Sequence, residues 1–126
     1  MKEILLALWF AWQTVTAPFY PDPAVEVAKA RTYLQAHLRI GHQLKPDLVR
    51  TLHAAGFQTR QFSPAAERRI RREKPWSNLP ASRFYVCSKS IPGRPTISLT
   101  DVVATLALDD DDRILLSFVR VNRTYL

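Results

Sequence analysis

The stretch from residue 100 to 121 constrains the fold more than any other part of the chain. Val102, Ala104, Leu106 and Leu108 alternate on the two-residue period of a strand and make one apolar face. Residues 109–112 are all aspartate and mark a turn. Residues 114–121 then return as a second long strand, so the two segments predict an antiparallel hairpin. A lone hairpin is marginal in water, so the rest of the chain must supply further sheet and a helical cover.

The upstream sequence offers both. Phe84-Tyr85-Val86-Cys87 reads as the first of three strands, joined to the hairpin by a turn-rich connection over 91–95 (IPGRP). Two helices precede it. In the first, Val27, Ala30, Leu34 and Leu38 fall at helical spacing. Asp22 stands at its N-cap, Pro23 at its first position, and Glu26 near the positive end of its dipole. Gly41 is expected to end it. In the second, Pro46 and Asp47 suit the first turn, and Leu48, Leu52 and Ala55 mark the inner face. Gly56 sits where a left-handed terminator belongs, which lets Phe57 fold back onto Leu52. Residues 58–81 carry Pro64, Pro75 and Pro80 and are expected to be irregular, apart from a short helix within 64–73. The expected class is α+β: two helices followed by a three-stranded antiparallel sheet, behind a hydrophobic N-terminal helix.

That N-terminal segment has the layout of an export signal. Lys2 is followed by an unbroken apolar run over 4–12 (ILLALWFAW), with no polar face. Val15 and Ala17 take the two positions that a signal peptidase reads. Residues 1–17 are therefore expected to be a signal peptide or membrane anchor, 18–23 (PFYPDP) a stiff proline-rich linker, and 24–126 a single domain. Glu3 dilutes the positive start and Pro18 would follow the cut, which keeps anchoring through residues 4–19 open. That stretch is shorter than the roughly 20 residues of a bilayer-spanning helix. The expected location is periplasmic or secreted. In the alternative, the segment is a core helix of a cytosolic protein.

Charge narrows the partner. The 126 residues carry 18 lysines and arginines against 11 acids, a net +7. Such a balance suits an acidic protein surface or an anionic membrane. Nucleic acid ranks behind them, because the chain shows neither the aromatic-basic strand motifs of RNA-binding folds nor a helix-turn-helix signature. The basic charge concentrates in Arg68, Arg69, Arg71, Arg72 and Lys74, an electrostatic handle for phosphate or carboxylate groups. Trp76, just beyond, is expected to insert at a membrane interface or stack on a base.

Catalytic and metal chemistry find little support. The single cysteine, Cys87, excludes an internal disulfide, and no paired Cys or His spacing points to zinc. Cys87 with His37, His42 and His53 lacks any ordering group that would make a nucleophile of the thiol. The aspartates of 109–112 lack the spacing of a calcium loop. No catalytic residue, metal or cofactor is expected, and no small-molecule substrate is evident.

Several local signatures together resemble small envelope domains of the BamE (SmpA/OmlA) type, whose architecture the β-lactamase inhibitor protein repeat shares. They are Leu38-Arg39-Ile40-Gly41, Leu48-Val49 with Leu52, Gly56-Phe57, Tyr85-Val86-Cys87, and the closing stretch 103–121 with its acidic turn. The resemblance covers residues 38–121. It implies a fold and an envelope location, and no enzyme. The lipid-bearing cysteine of BamE-type lipoproteins is absent, and aspartate replaces the glycine usual in the final turn. The basic connection 58–81 is also longer than that family's. The function expected from residues and resemblance together is a non-enzymatic exported domain that binds another macromolecule through its basic loop. The alternative is a cytosolic nucleic-acid-binding module using the same arginines.

Overall fold

A computed structural model describes residues 23–93 and 98–125. The expected signal or anchor segment, most of the proline linker with Asp22, and positions 94 and 95 of the expected turn lie outside them. Helix α1 spans Pro23–His37 and α2 spans Pro46–Ala54. A short strand β1 (Gln58–Gln61) leads into α3 (Pro64–Ile70) and a single 3₁₀ turn (Trp76–Asn78). Strands β2 (Arg83–Pro92), β3 (Ser98–Leu108) and β4 (Ile114–Tyr125) follow. The four strands form one antiparallel sheet in the order β1-β2-β3-β4. The α+β class is as expected, but the described residues hold four strands and three helices where three strands and two helices were anticipated. Helix α3 lies where a short helix was read within 64–73, beyond the two helices of the expected class; β1 is the unanticipated element, in a stretch expected to be irregular.

The inner face of the sheet closes against α1 and α2. Val102, Ala104, Leu106 and Leu108 of β3 pack with Cys87 and Ile91 of β2 and with Ile114. Ala30, Leu34 and Leu38 cover them from the α1 side, and Leu44, Leu52 and Phe57 from the α2 side. The helical stripe read from the sequence is thus the buried one, with Val27 packed at its edge. Leu48 and Ala55 are likewise half-buried against the core. Burying side chains of this size stabilises by about 1.5–3 kcal/mol each, which makes this layer the main source of stability.

The end of α2 is a Schellman motif. The Phe57 amide donates to the Leu52 carbonyl at 3.0 Å and the Gly56 amide to His53 at 3.0 Å, with Gly56 at φ 93°. Lys89 then reaches across from β2. Its Nζ donates to the Ala55 carbonyl at 3.2 Å and stands 5.6 Å from the Phe57 ring centroid, so a cation meets the negative end of the helix.

Helix α1 stops at His37, earlier than Gly41. The glycine, at φ 91°, instead turns the α1–α2 linker onto the hairpin. The Gly41 amide donates to the Ile114 carbonyl, and the Ile114 amide to His42, both at 2.8 Å. The Leu44 amide donates to the Asp112 carbonyl at 2.8 Å, and Gln43 forms an isolated bridge with Arg113.

Strand β4 alters its register between Ala107 and Leu108, where Ile114 pairs with Leu108 and Leu116 with Ala107. Leu115 is the extra residue of this bulge. Beyond it Leu116, Phe118, Arg120 and Asn122 share the outer face of the sheet. That face is covered only in part. Ile70, Trp76 and Ala81 pack on Phe84 and Ala107, with Phe62, Leu79, Leu115 and Leu116 around them.

Candidate interaction surface

Helix α3 carries the first two residues of the basic run, Arg68 and Arg69, and owes its position to polar and apolar anchors at its two ends. Ser63 caps it, its Oγ accepting from the Ala66 amide at 3.2 Å, and Pro64 fills the first turn. Past Ile70 the chain continues in tight turns, with Glu73 N–H donating to Ile70 at 3.0 Å and Ser77 N–H to Glu73 at 2.8 Å. These turns direct Trp76 inward. Its ring meets Phe84 edge-on, 6.3 Å between centroids, and Phe84 in turn lies 6.1 Å from Phe62.

Trp76 is therefore not an exposed anchor. It is 9% exposed and pins the loop to the sheet, which corrects the expectation that it inserts at a membrane or stacks on a base. The physical reason is the outer face of β2 and β3. Phe84 and Ala107 need an apolar cover there, and Trp76 is the large apolar residue within the loop's reach.

Arg71 is also committed within the fold. Its Nη2 and Nε donate to Glu67 Oε1 at 2.6 and 3.2 Å, and its Nη1 donates to the Ala81 carbonyl at 3.0 Å. The guanidinium carbon lies 4.9 Å from the Phe84 ring centroid. This arginine holds the loop shut rather than offering a free charge to a partner. Arg68, Arg69, Arg72 and Lys74 are exposed. Among the described residues none of their side chains makes a hydrogen bond or ion pair.

The sheet extends this basic patch. Between α3 and the uncovered half of the outer face runs a groove of about 710 Å³. Its floor is one row across all four strands: Arg60 pairs with Val86, Val86 with Thr105, and Thr105 with Phe118. Arg69, Ile70 and Glu73 wall it on the α3 side, and Arg120 stands beside Phe118 on β4. Phe118 is 58% exposed, an unusual position for a large aromatic residue in a sheet. Arg60, Phe118 and Arg120 were not singled out from the sequence, because they converge only when β1, β2, β3 and β4 pair. The available signal was in β4, where apolar residues at consecutive positions 114–116 break the alternation and announce that both faces are used.

Among the described residues no ion pair joins the acidic turn to the basic run. In the acidic turn, Asp109 Oδ1 accepts from the amides of Asp111 and Arg113, both at 2.9 Å. Asp112 takes φ 61°, the left-handed conformation that glycine usually fills, and its carboxylate meets Arg83 Nη2 at 2.5 Å. Asp110 accepts from the Ser82 hydroxyl. The turn is thus bound to the start of β2. Among the described residues no group of three or more His, Cys, Asp or Glu side chains is placed to hold a metal ion.

Cys87 lies within the inner core. Burial pushes its thiol up to about 11 from an ordinary 9.0, against a weaker lowering by the Thr59 hydroxyl at 4.0 Å. A buried neutral thiol is a packing group. His37 is stacked on Tyr33, 4.0 Å between centroids, with its Nδ1 2.9 Å from the Tyr33 carbonyl oxygen.

No protein-family model matches the sequence, and no curated protein or solved structure shows significant similarity to it.

Proposed function

We propose that this chain is a non-enzymatic, exported envelope or secreted domain that binds an acidic protein through its basic outer face. One observation carries the reading. Arg68, Arg69, Arg72 and Lys74 are exposed without partners among the described residues, and they adjoin a groove that adds Arg60 and Arg120 beside the apolar side chains of Val86 and Phe118. Desolvated apolar contact flanked by steering charges is the make-up of a protein-binding surface. The expected contact set narrows accordingly, with Arg71 and Trp76 serving to hold the loop in place.

The order of α1, α2 and β2 to β4 is consistent with the resemblance to BamE-type domains, with β1 and α3 as an addition to that pattern. The export half of the proposal rests on the apolar run of 4–12 and the small residues Val15 and Ala17. Among the described residues no helix is long and apolar enough to cross a membrane.

The test is a binding titration of the full chain against polyglutamate, phosphatidylglycerol vesicles and a single-stranded oligonucleotide. Polyglutamate is expected to bind, to weaken steadily as salt is raised, and to lose about tenfold in affinity, some 1.4 kcal/mol, with the double variant Arg69→Glu/Arg72→Glu. Binding that ignores both salt and the variant would remove the basic face from the function. Tighter binding of the oligonucleotide would move the assignment to a nucleic-acid module. Export is tested by intact mass from separated cytoplasmic, periplasmic and membrane fractions of the host. A soluble extracytoplasmic form lacking residues 1–17 is expected, whereas a full-length form confined to the cytoplasm would overturn it.

A further inference from the structure

The outer edge of the sheet adds a feature that the basic patch alone does not have. Strand β4 is an edge strand. Its first residue already has an edge partner, because Ile114 exchanges backbone hydrogen bonds with Gly41 and His42 at 2.8 Å. From Leu115 onward, among the described residues, the outer edge of β4 makes no backbone hydrogen bond. A ladder begun by the linker is therefore left open along most of the strand.

The side chains along this open edge alternate in a definite order. On the outer face Phe118 is followed two residues later by Arg120. On the inner face Val121, 40% exposed, is followed two residues later by Arg123. Each face thus presents an apolar side chain and then a cation. Strand β4 contains no acidic residue. Two copies of this edge brought together would gather four arginines, two from each strand, into one short ladder with no acidic residue to offset them, which disfavours self-pairing. A nucleic acid has no alternating N–H and C=O groups to complete the ladder.

We infer that the edge of β4 takes up an extended acidic peptide as a fifth strand, with an apolar side chain of the peptide on Phe118 and the groove floor. The peptide's carboxylates, spaced two residues from its apolar side chains, pair with Arg120 on one face and Arg123 on the other. Main-chain hydrogen bonds supply the affinity and the alternating pockets supply the choice of sequence. This rests on the proposed acidic-protein reading and adds to it the conformation and the register of the bound segment.

The probe is a short fluorescein-labelled peptide in which a phenylalanine and a valine stand three residues apart, each with a glutamate two residues away on its own face and serine between, so that apolar and acidic residues alternate on both faces; it is titrated into the full chain by anisotropy. Beside it run the same peptide with N-methylated backbone amides, which keeps every charge, and a polyglutamate of equal length. The alternating peptide is expected to bind at least about tenfold more tightly than either control. The same margin is expected to be lost with Phe118→Ser or Arg120→Glu, both at solvent-facing positions. On binding, those amides within 117–122 that point away from β3 are expected to slow in hydrogen exchange. Equal binding of the N-methylated peptide, or protection confined to α3, would overturn strand addition while leaving the charge-based reading intact. Failure of the alternating peptide and of polyglutamate alike would overturn both.

Discussion

The two faces of the same sheet are built on opposite terms. The inner face meets two helices along its length, and Val102, Ala104, Leu106 and Leu108 of β3 are fully buried there with Leu34 of α1 and Leu52 of α2. The outer face meets one short helix and a pinned loop, which cover Phe84 and Ala107 and leave Phe118 and Val86 lining an open groove. The inner layer is held by apolar area, and its polar groups serve helix ends, as Lys89 does for α2. The outer layer is held by a tryptophan and an arginine, and it spends its other cations on the surface. Stability is concentrated on one side of the sheet and recognition on the other.

The largest test of this division is Phe57→Ala. It empties a fully buried site under α2 and is expected to cost about 3–5 kcal/mol in urea unfolding. Trp76→Ala, on the thinner layer, is expected to cost about 3 kcal/mol. A cost for Trp76 above that for Phe57 would reverse the assignment of the two faces. A third test uses pH. The folded thiol of Cys87 titrates at about 11, above the ordinary 9.0, so the unfolded chain releases its proton first as pH rises. The stability this contributes is present in full below pH 9.0 and is lost between pH 9.0 and about 11. In paired unfolding curves across that window, a Cys87→Ala variant is expected to lose less stability than the parent. Parallel losses would show that the thiol is not held in the closed layer. The smallest test separates neighbouring arginines. Arg71→Ala is expected to cost about 1 kcal/mol through its lost packing and hydrogen bonds. Arg72→Ala is expected to change stability by less than about 0.5 kcal/mol and to act on binding alone. If the two substitutions destabilise equally, Arg71 is not the brace that its geometry indicates.

Legibility in the sequence followed the same division. The inner layer could be read, because α1 and α2 repeat their apolar residues on one helical period and β3 alternates on one strand period. The ending at Gly56 was legible as a left-handed terminator that folds Phe57 back onto Leu52, and the hydrogen bonds from Gly56 and Phe57 complete it. The outer layer was opaque. Strand β1 is four residues long and mostly polar, so it carries no periodic signal before it pairs with β2. Trp76 and Arg71 stand in a run whose composition says only that it is charged. Their roles depend on Phe84, which reaches them through tertiary contact. The acidic turn lay between these cases. Its place in the hairpin was plain, while its bond to Arg83 needed the β2–β3 register.

The clip formed by Gly41, His42 and Leu44 has a mechanical consequence. It fastens the connection between α1 and α2 to residues 112–114, at the point where the hairpin turns. The helix pair cannot lift from the sheet without also releasing the first rung of β4. Helices and hairpin therefore open as one cooperative unit. Among the described residues, the α3 segment has no comparable backbone tie to the hairpin beyond Ser82, whose amide donates to Leu108 at 2.8 Å. Brief excursions from the native state should begin there, freeing the outer surface while the clipped remainder stays folded.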